Sequence, residues 1–383
     1  MLHNRELLLK SMDESGLDAL IVCKPENAIY LTDFHVMGSR TIKDRLSYVV
    51  YFRDGNKDPV ALCPLVDVRH MRDISWLPDE NIVPFVEFQT GQDAGYVTDK
   101  FLFLAQTLSD CGLAKGRIGI EPKFINTLLM ENFKKAFPQA ELTEGEHAIQ
   151  KAREIKTPEE IARLRKAAEV TEEGCLKLIE AAKQGATEFE AACKCRAASM
   201  SAGAETIGFS AIGAGPRSSM VHNNPRNIPV RQGEVFHYDY GALYDAYWGD
   251  LARSYVFGKK PSAEAEKLYE TILTAQQAAL DAVRPGATAG DVYRAAVEAG
   301  QKIDPTLRRE HVGHGLGLEV HEHPYLIRDN ESVLKPGMAV CVEVAKHVPE
   351  IGGFQVEDTV LVTESGKEFI NHPEKMPKRL FLE

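Results

Sequence analysis

The sequence predicts two layered domains in succession: an α/β domain over residues 1–152, then an α+β domain over residues 153–383. Three observations carry this. Residues 4–136 alternate helical and strand-like segments, the pattern of a layered α/β unit. Thr157-Pro158-Glu159-Glu160 is a strong helix start, with a Thr cap, Pro in the first turn and carboxylates at the positive end of the dipole. The domain boundary therefore falls just before it, near Arg153. After Gly203 the texture changes again, to strand-like pieces between glycine-rich turns. A length of 383 residues suits two domains of ordinary size.

In order, residues 4–15 read as an amphipathic helix. Residues 18–23 form a short apolar run bounded by Gly16 and Pro25, the mark of a buried strand. Residues 46–52 and 60–65 are further strands, with Asp54-Gly55 turning between them. Residues 117–121 form another strand, and residues 126–136 a helix that stops before Pro138. In the second domain, helices are expected from Thr157 to about Ala182 and over residues 187–201, 263–283 and 289–302. Strands and turns fill residues 204–258 and 311–362. No short internal repeat and no low-complexity stretch is visible.

Composition bounds the function. Apolar residues make up 44% and charged residues 26%, the balance of a globular chain. A formal net charge of -11 repels phosphate backbones and disfavours nucleic acid as a partner. Seven cysteines, odd in number and irregular in spacing, read as reduced thiols rather than a disulfide framework. Cys193-x-Cys195 lacks a second pair and is a weak zinc candidate. The N-terminus has no uninterrupted apolar core, and no apolar run approaches the roughly 20 residues of a membrane span. The expectation is a cytoplasmic protein without a membrane partner.

The chemistry-bearing residues lie after position 220. Asp239 sits in a strand predicted over residues 235–240. Asp250 follows eleven residues on, a spacing that lets a hairpin bring both carboxylates to one site. His314 lies in Gly313-His314-Gly315-Leu316-Gly317, and His321-Glu322 follows. Glu343 is inside an apolar strand at residues 338–344, and Glu357 ends another at 353–356. A carboxylate in an apolar strand is costly unless it is paired, protonated or metal-bound. Four carboxylates and an imidazole suit two borderline-hard divalent cations such as Mn(II), Co(II) or Zn(II). Any one of these residues alone is more simply a solvated strand end; the ordered set carries the reading. The glycines around His314 and at 213–219 lack a following lysine, so no nucleotide cofactor is expected.

The segments Asp239-x-Gly241, Asp250-x-x-Arg253, Gly313-His314-Gly315-x-Gly317-x-x-x-His321-Glu322 and Glu357-Asp358 resemble the pita-bread metallopeptidases, the family of proline dipeptidase, aminopeptidase P, methionine aminopeptidase and metal-free creatinase. Asn27-Ala28-Ile29-Tyr30-Leu31-Thr32 resembles the creatinase-type N-terminal domain, and Lys156-Thr157-Pro158-Glu159-Glu160-Ile161 the helix that opens the catalytic domain. The resemblance implies a curved antiparallel sheet cradling the site, and two divalent ions per chain, Mn or Co first and Zn as an option. It implies Asp239 as a terminal ligand, His314 and Glu343 on the other ion, and Asp250 and Glu357 bridging. A bridging hydroxide would attack the scissile carbonyl, His321 would stabilise the oxyanion, Glu343 would shuttle a proton and His222 would hold the substrate. It also implies an Xaa-Pro dipeptidase or aminopeptidase acting on short peptides, and a homodimer.

Four positions depart from the proline-peptidase pattern. Val344 follows Glu343 where Pro is usual, Gln355 replaces an Arg, Ala252 replaces a Thr, and Glu310 replaces a His, with His311 beside it. None removes a ligand, but all touch the surroundings that orient ligands. Two other readings therefore stand beside the peptidase. One is a same-fold amidohydrolase or lyase acting on a small non-peptide metabolite. The other is an inactive module that binds peptides.

Overall fold

The computed structural model describes residues 2–42, 46–88, 91 and 95–383. The chain folds as two compact units, Met1–Arg153 and Glu154–Glu383.

The first unit is built on a six-stranded mixed sheet. Its strands are β1 (Ala19–Val22), β2 (Tyr48–Phe52), β3 (Val60–Pro64), β4 (Ile82–Phe85), β5 (Arg117–Ile120) and β6 (Glu141–Glu144), in the order β4-β3-β2-β1-β5-β6. Strands β1, β2 and β3 pair antiparallel, β2 and β3 as a hairpin, while β4, β5 and β6 pair parallel to their neighbours. Strand β1 is buried at every position, as expected for a central strand covered on both faces. Helix Arg5–Glu14 starts where Asn4 accepts the Leu7 N–H, and helix Thr127–Ala136 starts where Asn126 accepts that of Leu129. The Asn27–Thr32 segment lies on a buried helix, Pro25–Thr32. Helices Val68–Ile74, Lys100–Asp110 and Glu146–Glu154 and strands β4 and β6 were not anticipated; all are short or weakly patterned.

The second unit opens with helix Pro158–Lys183. A reciprocal capping box between Thr157 and Glu160 fixes its start, a device that contributes about 1 kcal/mol. Just before it, Lys156 forms a buried ion pair with Glu322 at 2.7 Å. Helices Glu188–Ser201, Ala263–Ala282 and Ala289–Gln301 follow the expected positions within a residue or two.

Two sheets fill this unit. The first contains β7 (Thr206–Ala214), β8 (Val235–Tyr244), β9 (Tyr247–Trp248), β10 (Leu251–Phe257) and the edge strand β15 (Phe381–Leu382). The second runs β11 (Gly313–Gly315), β12 (Ala339–Val348), β13 (Gly352–Thr363), β14 (Gly366–Phe369). Every pairing is antiparallel except β10 with β15. Strands β8, β12 and β13 run several residues beyond the predicted ends. In β12, Val344 keeps the N–H that a proline would lack, and pairing with β13 continues to Val348↔Gly352.

The sheets meet through side chains. Ser254 on β10 donates to Gly353 O and accepts from the Gln355 N–H on β13. Alternation then sorts the faces. Val340, Val342 and Val344 of β12, with Phe354, Val356, Val360 and Val362 of β13, enter one apolar core against the helices. Phe236, Tyr238 and Tyr240 of β8 enter another. The residues between them are left to face the site. Among the described residues no helix is long and apolar enough to cross a membrane.

Candidate metal centre

Strand geometry assembles the site. Asp239 on β8 lies opposite Ala252 on β10, so the β8–β10 hairpin returns Asp250 to the neighbourhood of Asp239. Glu343 on β12 and Glu357 on β13 are direct cross-strand partners. His314 on β11 is paired with Cys341 on β12, two residues before Glu343 on the same face. All five predicted ligands line one cavity of about 530 Å³, with His222, His321, Asn223, Asn224, Phe209 and Arg196 also on its wall.

The carboxylates are crowded and largely buried. Asp250, His314, Glu343 and Glu357 are all buried, while Asp239 is half-buried. His314 Nε2 lies 3.7 Å from Asp250 Oδ2 and 3.8 Å from Glu343 Oε1. Its other nitrogen, Nδ1, lies 3.1 Å from Gly315 O, which fixes the tautomer with Nε2 free to accept or ligate. Burial holds the His314 imidazole down to about 4, although Glu343 pulls it upward. Burial, then the Glu343 charge, lifts Asp239 to about 7. Asp250 is pushed well above the carboxylate range by burial and by Asp239, and Glu357 by burial and by Asp250.

Such a cluster fits a divalent cation. Glu357 Oε1 is buried with no hydrogen-bond partner, a state that costs several kcal/mol for an ionised oxygen. One donor atom each from Asp250, His314, Cys341 and Glu357 lie within 4.8 Å of one another. A positive ion among these donors offsets both the orphaned oxygen and the mutual repulsion.

The surroundings explain the departures from pattern. Gln355 Nε2 donates to Glu343 Oε2 at 2.9 Å and to Asp239 Oδ2 at 3.2 Å, spanning the two carboxylates. Its Oε1 accepts from His237 Nε2 at 3.0 Å, and burial holds His237 neutral, down to about 3. The cationic charge expected at position 355 comes from elsewhere: Arg309 Nη2 lies 3.9 Å from Glu343 Oε2. Glu310 is exposed, whereas His311 Nδ1 lies 3.3 Å from Glu343 Oε1. Ala252 is buried opposite Asp239, and a neighbouring hydroxyl, Thr359 Oγ1, reaches Asp250 O at 3.4 Å.

The two histidines expected to act on substrate stand at the rim. His222 is exposed on a loop braced by Arg217, which pairs with buried Glu188 at 3.1 Å and donates to Asn224 O at 2.7 Å. The His321 ring lies 3.9 Å from that of His314, centre to centre. Burial lowers His321 against the upward pull of Glu343. Sequence reasoning missed His237, Arg309 and Cys341, and named His311 only as the neighbour of Glu310. For His237 and Cys341 the signal was present, since each lies two residues before a candidate ligand on the same strand face.

A mixed-sheet first unit, followed by a two-sheet unit whose inward faces carry carboxylates and histidines around one cavity, defines the pita-bread class. Residues 5–155 match the Creatinase/Prolidase N-terminal domain, and residues 162–364 match Metallopeptidase family M24. The chain belongs to metallopeptidase family M24 and is a hydrolase; the metallopeptidases of this family use divalent metals. It is 30% identical over 377 residues to an Xaa-Pro dipeptidase of Pyrococcus furiosus, covering 98% of this chain and 99% of that one. A solved prolidase from Pyrococcus furiosus superposes with a TM-score of 0.78 at 29% identity, over 95% of this chain and 99% of the other. The N-terminal domain of FACT complex subunit SPT16 from Cicer arietinum also superposes, with a TM-score of 0.74 at 16% identity over 98% and 96%. That likeness shows the fold alone.

Proposed function

We propose that this chain is an Xaa-Pro peptidase working through two divalent ions held by Asp239, Asp250, His314, Glu343 and Glu357. The observation that carries the reading is the meeting of these five side chains, drawn from four strands and a hairpin, around a cavity where Glu357 Oε1 is buried and orphaned. Similarity to the Xaa-Pro dipeptidase over nearly the full length supports the substrate class. The division into a creatinase-like domain at 1–152 and a catalytic domain at 153–383 belongs to the same proposal. So do Mn(II) or Co(II) as the working metal, with Zn(II) admissible, a homodimer, and a cytoplasmic site of action suited to free cysteines.

An Xaa-Pro bond is a tertiary amide with no N–H to recognise, so the proline ring itself must be read. Ile207, Phe209 and Val320 give the cavity an apolar wall for it. His222, on its braced loop, holds the substrate at the rim. His321, kept neutral by burial, donates a hydrogen bond to the oxygen on which negative charge develops. Glu343 Oε1, facing His311, receives a proton and delivers it to the departing proline nitrogen, while Gln355 fixes Oε2. Bound among the five ligands, the ions would supply polarisation of the carbonyl and a more acidic water.

The test is hydrolysis by chelator-stripped protein, with and without added Mn(II) or Co(II), of Xaa-Pro dipeptides, Xaa-Pro-Yaa tripeptides, Xaa-Ala controls and creatine. Metal-restored cleavage confined to Xaa-Pro substrates is expected. Cleavage of creatine alone would transfer the site to a non-peptide amide. No cleavage and no bound metal, in the wild type, would end the proposal.

A further inference from the structure

We propose that Cys341 is an additional donor of the metal centre, binding one ion as a thiolate beside Asp250, His314 and Glu357. The inference rests on the metal-dependent reading above and deepens it.

Cys341 lies on the inward face of β12, paired with His314 on β11 and two residues before Glu343. Its thiol is fully buried, 3.9 Å from Asp250 Oδ2 and 3.3 Å from Thr359 Oγ1. Donors bound to a shared ion at about 2.0 Å (oxygen, nitrogen) and 2.3 Å (sulfur) stand roughly 3–4 Å apart. The four donor atoms Asp250, His314, Cys341 and Glu357 fall within 4.8 Å of one another, so small rotations suffice to close them on one ion. A second observation points to the same ion independently: Glu357 is 99% buried, belongs to this cluster, and has an oxygen with no partner.

The step balances simply. The S–H bond breaks, a sulfur–metal bond forms, and the proton leaves to solvent, so uptake releases one more proton than carboxylates alone would give. A thiolate among oxygen donors changes which metal is held. Soft sulfur favours Co(II) and Zn(II), whereas Mn(II) prefers an all-oxygen and imidazole site. A centre with Cys341 should therefore discriminate against Mn(II) more strongly than one without it.

The experiment loads the full chain and its Cys341→Ser and Cys341→Ala variants with Co(II) and records absorption, then repeats the loading with Zn(II) for X-ray absorption at the zinc edge. The wild type should show a near-ultraviolet sulfur-to-cobalt charge-transfer band. Both variants should lose that band while keeping the visible d–d bands. Zinc-loaded wild type should show a sulfur scatterer at about 2.3 Å. The preference for Zn(II) over Mn(II), read by competition, should drop at least tenfold in both variants. Unchanged spectra in the variants, with no sulfur shell in the zinc-loaded wild type, would overturn the thiolate and leave the five-ligand reading standing. Failure of the wild type to take up Co(II) at all would overturn both. If both variants misfold, the sulfur shell of the wild type decides alone.

Discussion

Gln355 stands where a proline peptidase usually carries an arginine, yet it bridges Asp239 and Glu343 with one amide nitrogen. Its orientation is forced: the amide must present Nε2 to two carboxylates, so Oε1 faces His237, whose Nε2 donates to it. Replacing it with Leu removes all three bonds while roughly keeping the volume. Side chains that orient ligands in this way are worth about 10–100-fold in metal affinity. A Gln355→Leu variant is expected to bind Co(II) weaker by that factor, read by isothermal titration, with its fold intact by circular dichroism. Unchanged affinity would show that the amide only fills space. At this scale the candidate ligands were legible because charged residues inside apolar strands stand out. Arg309 and His311 were not, because they reach Glu343 from a loop whose course no periodicity encodes.

Between elements, the tie that matters is Arg253. It is fully buried on β10, pairs with Asp358 at 2.6 Å and donates to the backbone carbonyl of Glu357 on β13. Asp358 points away from the cavity and also accepts from Asn371, Gln276 and Lys378. One guanidinium thus fixes the strand carrying Glu357 against the strand that follows Asp250. Removing one member of a buried ion pair leaves the other uncompensated, at a cost of roughly 3–5 kcal/mol. Arg253→Leu is expected to lower stability by that amount in urea denaturation and to weaken metal uptake as well. A loss under 1 kcal/mol would mean that Lys378 alone neutralises Asp358. Helix starts were legible in the sequence because Thr157, Thr187 and Asn126 announce themselves by local capping chemistry. The Arg253–Asp358 and Lys156–Glu322 pairs were visible only as motif letters. Their partners lie 105 and 166 residues apart, and only the folded sheet brings them together.

For the whole molecule, the proposed centre lies within the second unit alone, so metal should act on that part of the chain. An ion that binds only the folded second unit raises its stability by about 2.7 kcal/mol at a hundredfold excess over Kd, and leaves the first unit unchanged. The first unit has its own sensitivity in His3. That ring is buried against Tyr30, Tyr51 and Trp76, and burial, followed by the charge of Arg5, holds it down to about 4. Unfolded, it titrates near its ordinary 6.5. As pH falls from 6.5 towards 4 the unfolded chain takes up a proton that the native one refuses, so stability present above 6.5 is progressively lost, by up to about 3 kcal/mol. Glu121 acts in the opposite sense. Burial raises it to about 7, so its contribution is full below its ordinary value and is lost as pH rises through 7. The His3 effect must therefore be read as a difference between wild type and His3→Gln. Scanning calorimetry at pH 6.5 and pH 5, with and without Co(II), is expected to show one transition that rises with metal and another whose acid shift is reduced in His3→Gln. Equal acid shifts in the two proteins would place the first unit's sensitivity elsewhere, and a metal shift shared equally by both transitions would mean that the two units unfold as one.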